Sequence, residues 1–183
     1  TTFMVDDNVF YKSVPKTQKE VLDKIDDSTC CFSLRLGLNC NYSHPANLHY
    51  EINKPEKLSN DFISVDFRIQ KGDFGYPLSV DGHIIKNILI NTGGFPNPNF
   101  LESILQHFLG VIPNKMTFFK DSCLVGIPAN IVNNTHPNRK GVEFPFSVEK
   151  LNYGYINNKI IDFNSMNFDG INGPHKEIKY IIK

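Results

Sequence analysis

The residues with the clearest chemical potential lie in Ser28-Thr29-Cys30-Cys31-Phe32-Ser33-Leu34-Arg35-Leu36-Gly37-Leu38-Asn39. Asp26-Asp27-Ser28-Thr29 supplies N-cap side chains, and the spacing after them predicts a helix from about Cys30 to Leu38. A cysteine in the first turn of such a helix faces unpaired backbone N–H groups and the positive end of the helix dipole, and both favour the thiolate. A thiolate so placed attacks carbonyl carbon, provided that an imidazole handles the proton. The competing reading is equally physical, because cysteine is among the most buried residue types and a cysteine near a helix start can be plain core.

Other constellations offer less. Asp66 and Asp73, or Asp162 and Asp169, are too scattered to pair as an acid and a base. His44 and His49 have no Glu in zincin position between them, so no metal and no cofactor is expected. Gly72-Asp73-Phe74-Gly75 and Gly93-Gly94 are not followed by the Lys and Ser/Thr of a phosphate loop and read as turns. Four cysteines make neither a disulfide framework nor paired Cys-x-x-Cys motifs, and Cys40–Cys123 is the pairing to test first. Phe74, Tyr76, Phe95 and Phe168 fall in loops, where they line a carbohydrate or peptide groove or else cap the edges of the core.

Positioning these groups is the work of a chain of 183 residues, long enough to bury about 70% of its unfolded surface. Hydrophobic residues at 40% and charged residues at 21% are globular values. Nineteen basic and nineteen acidic residues cancel, and only Arg35, Arg68 and Arg139 are arginines, so neither a nucleic-acid partner nor a membrane surface is expected. The opening Thr1-Thr2 without Met reads as a trimmed or processed product.

Pro15-Lys16-Thr17-Gln18-Lys19-Glu20 starts a first helix, and Phe100, Leu101, Ile104, Leu105, Phe108 and Leu109 predict an amphipathic one. Phe62–Ile69, Cys123–Ile127, Val142–Phe146, Tyr153–Ile156, Lys159–Phe163 and Ile178–Ile182 carry strand signals, and His83–Ile90 reads as a strand or a short helix. Helices first and mostly antiparallel strands afterwards make an α+β fold, read as a single domain over 1–183. The stretch at about 44–98 is an expected insertion, a β-rich elaboration beside the groove.

The N-terminal third resembles the fourth family of type VI secretion amidase effectors, papain-like (NlpC-type) cysteine hydrolases of peptidoglycan. Val9-Phe10-Tyr11-Lys12-Ser13-Val14-Pro15, then Val21 and Ile25, then Cys30, Leu38 and Asn39 match the family's opening and its nucleophile helix without a gap. The resemblance implies a papain-like fold, with the Cys helix packed on a mostly antiparallel sheet and Cys30 as nucleophile. It further implies a secreted toxin that cuts a peptidoglycan peptide or another amide and meets a protein inhibitor or immunity partner.

The family's catalytic His falls on Val142 of Gly141-Val142-Glu143-Phe144, and its Arg and Ser after the Cys appear exchanged as Ser33 and Arg35. The imidazole must therefore come from a loop: His136 first, with His83 and His44 after it. The alternative is a catalytically degenerate module that recognises a glycopeptide or a protein partner.

Overall fold

The structure, a computed structural model, describes residues 1–86, 98–128, 139, 141–144 and 147–183. In chain order the elements are β1 (Asn8–Phe10), α1 (Gln18–Leu22), β2 (Thr29–Ser33), β3 (Tyr42–Ser43), β4 (Leu48–His49), β5 (Glu56–Lys57) and β6 (Phe62–Asp66). They are followed by β7 (His83–Ile85), α2 (Pro98–Gln106), β8 (Lys115–Phe119), β9 (Leu124–Gly126) and α3 (Val148–Ile156). A five-stranded sheet runs in the order β5-β6-β8-β2-β7, and every neighbouring pair in it is antiparallel except β2 with β8. The fold is α+β with a mostly antiparallel sheet and few helices. No helix among the described residues is long and apolar enough to cross a membrane.

Thr29–Ser33 is a strand, which corrects the helix expected from Cys30 to Leu38. Asp26 does cap, but it caps a turn: its Oδ1 accepts from the Ser28 N–H at 2.8 Å and from the Ser28 and Thr29 hydroxyls at 2.7 and 3.0 Å. Every residue of β2 is buried: β8 and β7 flank it within the sheet, and one apolar cluster takes in Cys31 while a second takes in Phe32. A strand covered on both faces reads as a continuous apolar run rather than an alternation, and such a run is easily mistaken for a helix.

Alternate residues of the inner strands face opposite sides of the sheet. Ile63 and Val65 of β6 and Met116 and Phe118 of β8 share one buried cluster with Cys31 and Ile85. Leu101 and Leu105 of α2 belong to that cluster, as their helical spacing predicts. Phe62 and Phe119 belong to a second cluster with Phe32 and Val21 of α1. Phe62 and Phe119 pair directly across β6 and β8 and stack at 5.5 Å, while Phe32 meets Phe119 edge-on at 4.9 Å. The short α1 is held by a capping box in which Thr17 accepts from the Glu20 N–H and Glu20 returns to the Thr17 N–H.

The stretch expected as an insertion is part of the frame. β5, β6 and β7 all come from it, and β6 and β7 pair directly with β8 and β2. A β-rich elaboration standing beside the sheet is therefore not what these residues build.

The C-terminal strand signals fare differently. Tyr153–Ile156 lies in α3, whose N-cap Ser147 accepts from the Lys150 N–H at 3.2 Å. That capping signal overrides the strand preference of Tyr153, Tyr155 and Ile156. Val142–Phe144 forms no strand, and residues 145–146 lie outside the described residues. Lys159–Phe163 and Ile178–Ile182 form no named strand; they pair at a single antiparallel bridge between Ile161 and Ile182 and share an apolar cluster.

Candidate functional site

Cys30 lies in β2 with 1% of its surface exposed. The register of β2 against β8 slips between Thr29 and Cys31, a bulge that passes over Cys30. Its Sγ stands 3.0 Å from the Lys115 carbonyl oxygen and 3.8 Å from the Cys31 Sγ. No imidazole among the described residues reaches it, and β2 offers no helix start to favour its thiolate. The placement expected for an activated nucleophile is thus corrected: Cys30 is a core strand residue.

Cys31 is the thiol that meets an imidazole, with its Sγ 3.9 Å from the His83 Nδ1. That nitrogen also lies 2.8 Å from the Pro77 carbonyl oxygen, which can only accept. His83 therefore carries its proton on Nδ1 and cannot take one from Cys31 there. Burial, then the nearby Arg35 charge, lower the His83 pKa to about 4. Burial pushes the Cys31 thiol well up. The pair rests as a thiol and a neutral imidazole, the opposite of an activated ion pair. Cys40 and Cys123 are both free, and burial pushes each to about 11.

Of the remaining histidine candidates, His44 is the one described, and it makes no contact with Cys30. His136 lies outside the described residues. His44 is buried rather than a surface residue, with its Nε2 2.9 Å from the Arg139 carbonyl oxygen and 3.7 Å from Glu177. Val142, where the amidases carry their histidine, is 59% exposed. Its backbone N–H and those of Glu143 and Phe144 donate to the Glu177 carboxylate at 3.0, 2.8 and 3.0 Å. Hydrogen bonds of that kind to the charged form outweigh the cost of burial and hold Glu177 below its ordinary pKa.

The densest charged cluster centres on Arg35, just beyond β2. Its guanidinium pairs with Asp81 and, at 3.0 Å, with Asp73, and Nη1 lies 3.5 Å from the His175 Nε2. Asn8 of β1 donates to the other oxygen of Asp81 at 2.6 Å. Burial alone would disfavour the guanidinium charge, but Asp81 and Asp73 outweigh it and keep Arg35 ionised. Asp81 carries a burial penalty too, which the Arg35 charge above all more than offsets, so its carboxyl stays below the usual range. Burial lowers the His175 pKa despite Asp81, so His175 is neutral near pH 7.

From Asp73 the network reaches the surface. The Tyr50 hydroxyl donates to Asp73 at 3.5 Å, and Tyr50 lines an open cleft of about 540 Å³ together with Asn41, His49, Glu51, Asn53 and Lys71. Burial and the Asp73 charge raise the Tyr50 pKa, so the phenol stays neutral. Gly72 has φ +58°, and a Cβ there would stand 2.7 Å from the Tyr50 ring, so only glycine leaves the ring its place. Asn53 is fixed to the opposite wall: its Nδ2 donates to the Ile69 carbonyl at 3.1 Å and its N–H to the Gln70 side chain at 2.9 Å. His49 packs on Tyr42 with ring centres 4.8 Å apart.

A second cavity, of about 550 Å³, is apolar and lies between α3 and the C-terminal segment, lined by Leu151, Tyr155, Ile160, Phe163 and Ile182 among others. Of the loop aromatics expected to line a groove, Phe74 is core, Phe168 packs on Tyr11 at 6.3 Å, and Phe95 lies outside the described residues. Tyr50, the aromatic that does line the polar cleft, was not among them.

Compared with protein-family models, with curated proteins and with solved structures, the chain matches none.

The Arg35 cluster was legible in part. An arginine inside Phe32-Ser33-Leu34-Arg35-Leu36, in a chain with three arginines, must be buried and must find carboxylates. Which carboxylates it finds depends on the fold, since Asp73 and Asp81 lie 38 and 46 residues away.

Proposed function

We propose that the chain is a binding module for a polar ligand of the glycopeptide class, received in the cleft around Tyr50, and that it does not hydrolyse its ligand through Cys30. The observation carrying this reading is a contrast in access. The four thiols are buried, and Cys30 has no proton carrier among the described residues. The cleft at Tyr50 is open and lined by two amides, an imidazole, a phenol, a carboxylate and an ammonium. Its volume falls within the ~300–1,000 Å³ of ordinary small-ligand sites. Amide and hydroxyl partners suit sugar hydroxyls and peptide groups, and an aromatic ring suits a sugar face.

A papain-like arrangement needs the cysteine at a helix start facing a histidine, and β2 supplies neither for Cys30. The proposed module therefore does not share that catalytic layout.

The deciding experiment titrates N-acetylmuramyl-tetrapeptide into the protein while backbone amide resonances are followed by NMR and the peptide is analysed by mass spectrometry. The expected result is saturable shifts around Asn41, Tyr50 and Lys71 with the peptide intact, weakened in Tyr50→Ser. Peptide cleaved by the parent and left whole by Cys30→Ala would restore the amidase reading and overturn this one.

A further inference from the structure

Glu51 and Lys71 line the same cleft, and neither has an ion-pair or hydrogen-bond partner among the described residues. Opposite charges elsewhere on this surface do meet. Lys115 reaches Glu56 at 3.4 Å and Lys12 reaches Asp121 at 3.6 Å, although all four side chains are largely exposed. A carboxylate and an ammonium held on the walls of one cleft without touching give it a negative and a positive pole. The complementary ligand carries an ammonium and a carboxylate of its own.

The rest of the lining suits such a ligand. Tyr50 presents an aromatic ring, held by its hydroxyl on Asp73 and by the space that Gly72 leaves. An ammonium near that ring gains a cation–π attraction in addition to its ion pair. Asn53 has its Nδ2 committed to the Ile69 carbonyl, which leaves its side-chain oxygen to accept from a peptide N–H.

We propose that the cleft selects a short zwitterionic peptide, with the ligand's ammonium at Glu51 and its carboxylate at Lys71. This rests on the binding reading of the same cleft and names the part of the ligand that is recognised: a free ammonium and carboxylate, which a muramyl peptide, acylated at its N-terminus, offers only on a diamino-acid side chain. An exposed ion pair is worth up to ~1 kcal/mol, so losing one should weaken binding by about 3- to 5-fold.

The test compares the dipeptide Ala-Ala with N-acetyl-Ala-Ala and Ala-Ala-amide by NMR titration of the parent, Glu51→Gln and Lys71→Met. Ala-Ala should bind at the cleft, and each capped form should bind the parent about 3- to 5-fold more weakly. Glu51→Gln should weaken Ala-Ala and leave N-acetyl-Ala-Ala unchanged, and Lys71→Met should do the same for Ala-Ala and Ala-Ala-amide. Capped and uncapped dipeptides binding alike would overturn the proposal. If N-acetylmuramyl-tetrapeptide still shifted the Tyr50 resonances, the binding reading would stand without it. If neither probe moved those resonances, both would fall. Binding of Ala-Ala with its charge dependence, but not of the muramyl peptide, would support this proposal and remove the glycan from the ligand.

Discussion

Cys30 and Arg35 are five residues apart, both buried, and both polar enough to do chemistry, yet their surroundings differ in kind. Cys30 faces a carbonyl oxygen and a second thiol inside the sheet, and among the described residues no ionised group or imidazole touches its sulfur. Arg35 leaves the strand and is met by carboxylates from two later segments, one of which leads through Tyr50 to an open cleft. The same stretch of chain therefore gives an inert pole and a connected one. Reactivity depends here on what the fold brings to a group, and much less on the residue type that first attracts notice.

The largest test of that contrast is Arg35→Met. The substitution keeps the volume of the side chain but leaves Asp73 and Asp81 buried without their cation. Breaking a buried ion pair from one side costs about 3–5 kcal/mol. Urea unfolding should show that loss, and adding Asp73→Asn and Asp81→Asn to the same chain should recover part of it. A cost near that of an ordinary surface substitution would erase the distinction between the two regions.

Next in size is a pH effect at the inert pole. His83 takes its proton near pH 6.5 when unfolded but only near pH 4 in the fold. Between those values the unfolded chain binds more protons, so stability falls as pH drops from 6.5 to 4 and levels off below, a total of about 3 kcal/mol. Asp7 runs the other way. Burial, then Asp81 and Asp6, raise its pKa to about 6, so the folded state binds that proton first and gains stability as pH falls from 6 towards 4. Asp7 is only part-buried, and solvent screening reduces its share to about 1–2 kcal/mol. His83→Asn keeps a donor for the Pro77 carbonyl and removes the titration. Its stability between pH 6.5 and 4 should lose the downward slope or reverse it, and a slope unchanged from the parent would remove His83 as the cause.

How much of this was legible before folding follows the locality of each signal. The capping box of α1 is written within Thr17-Gln18-Lys19-Glu20, and α2 within the spacing of Leu101 and Leu105, so both could be read. Asp26 reads as an N-cap candidate for a helix, but it closes a turn instead, because the segment after it pairs with β7 and β8 as a strand. Ser147 and Glu149 signalled α3 locally, yet the tyrosines and isoleucine after them pointed to a strand. The cleft was hardest to see, because Asn41, Tyr50 and Lys71 carry no shared motif and meet only once the chain has turned back at Gly72.

The smallest expected effect is at Cys30 itself. Cys30→Ala removes a buried sulfur that makes one hydrogen bond to a backbone carbonyl, so the cost should be about 1–2 kcal/mol, a core-truncation value at the low end. The affinity of the Tyr50 cleft for its ligand should not change, since no link of the Arg35–Asp73–Tyr50 chain passes through β2 sulfur. Iodoacetamide gives an independent reading. In the folded protein Cys30 should alkylate only as fast as the sheet opens, and its rate should rise with urea in step with unfolding. An activated thiolate would behave otherwise, reacting at a rate independent of low urea and already substantial near pH 7. Finding that second pattern at Cys30 would mean that the sulfur reaches solvent and a base in the native state, and the contrast between the two poles would have to be redrawn around the thiol.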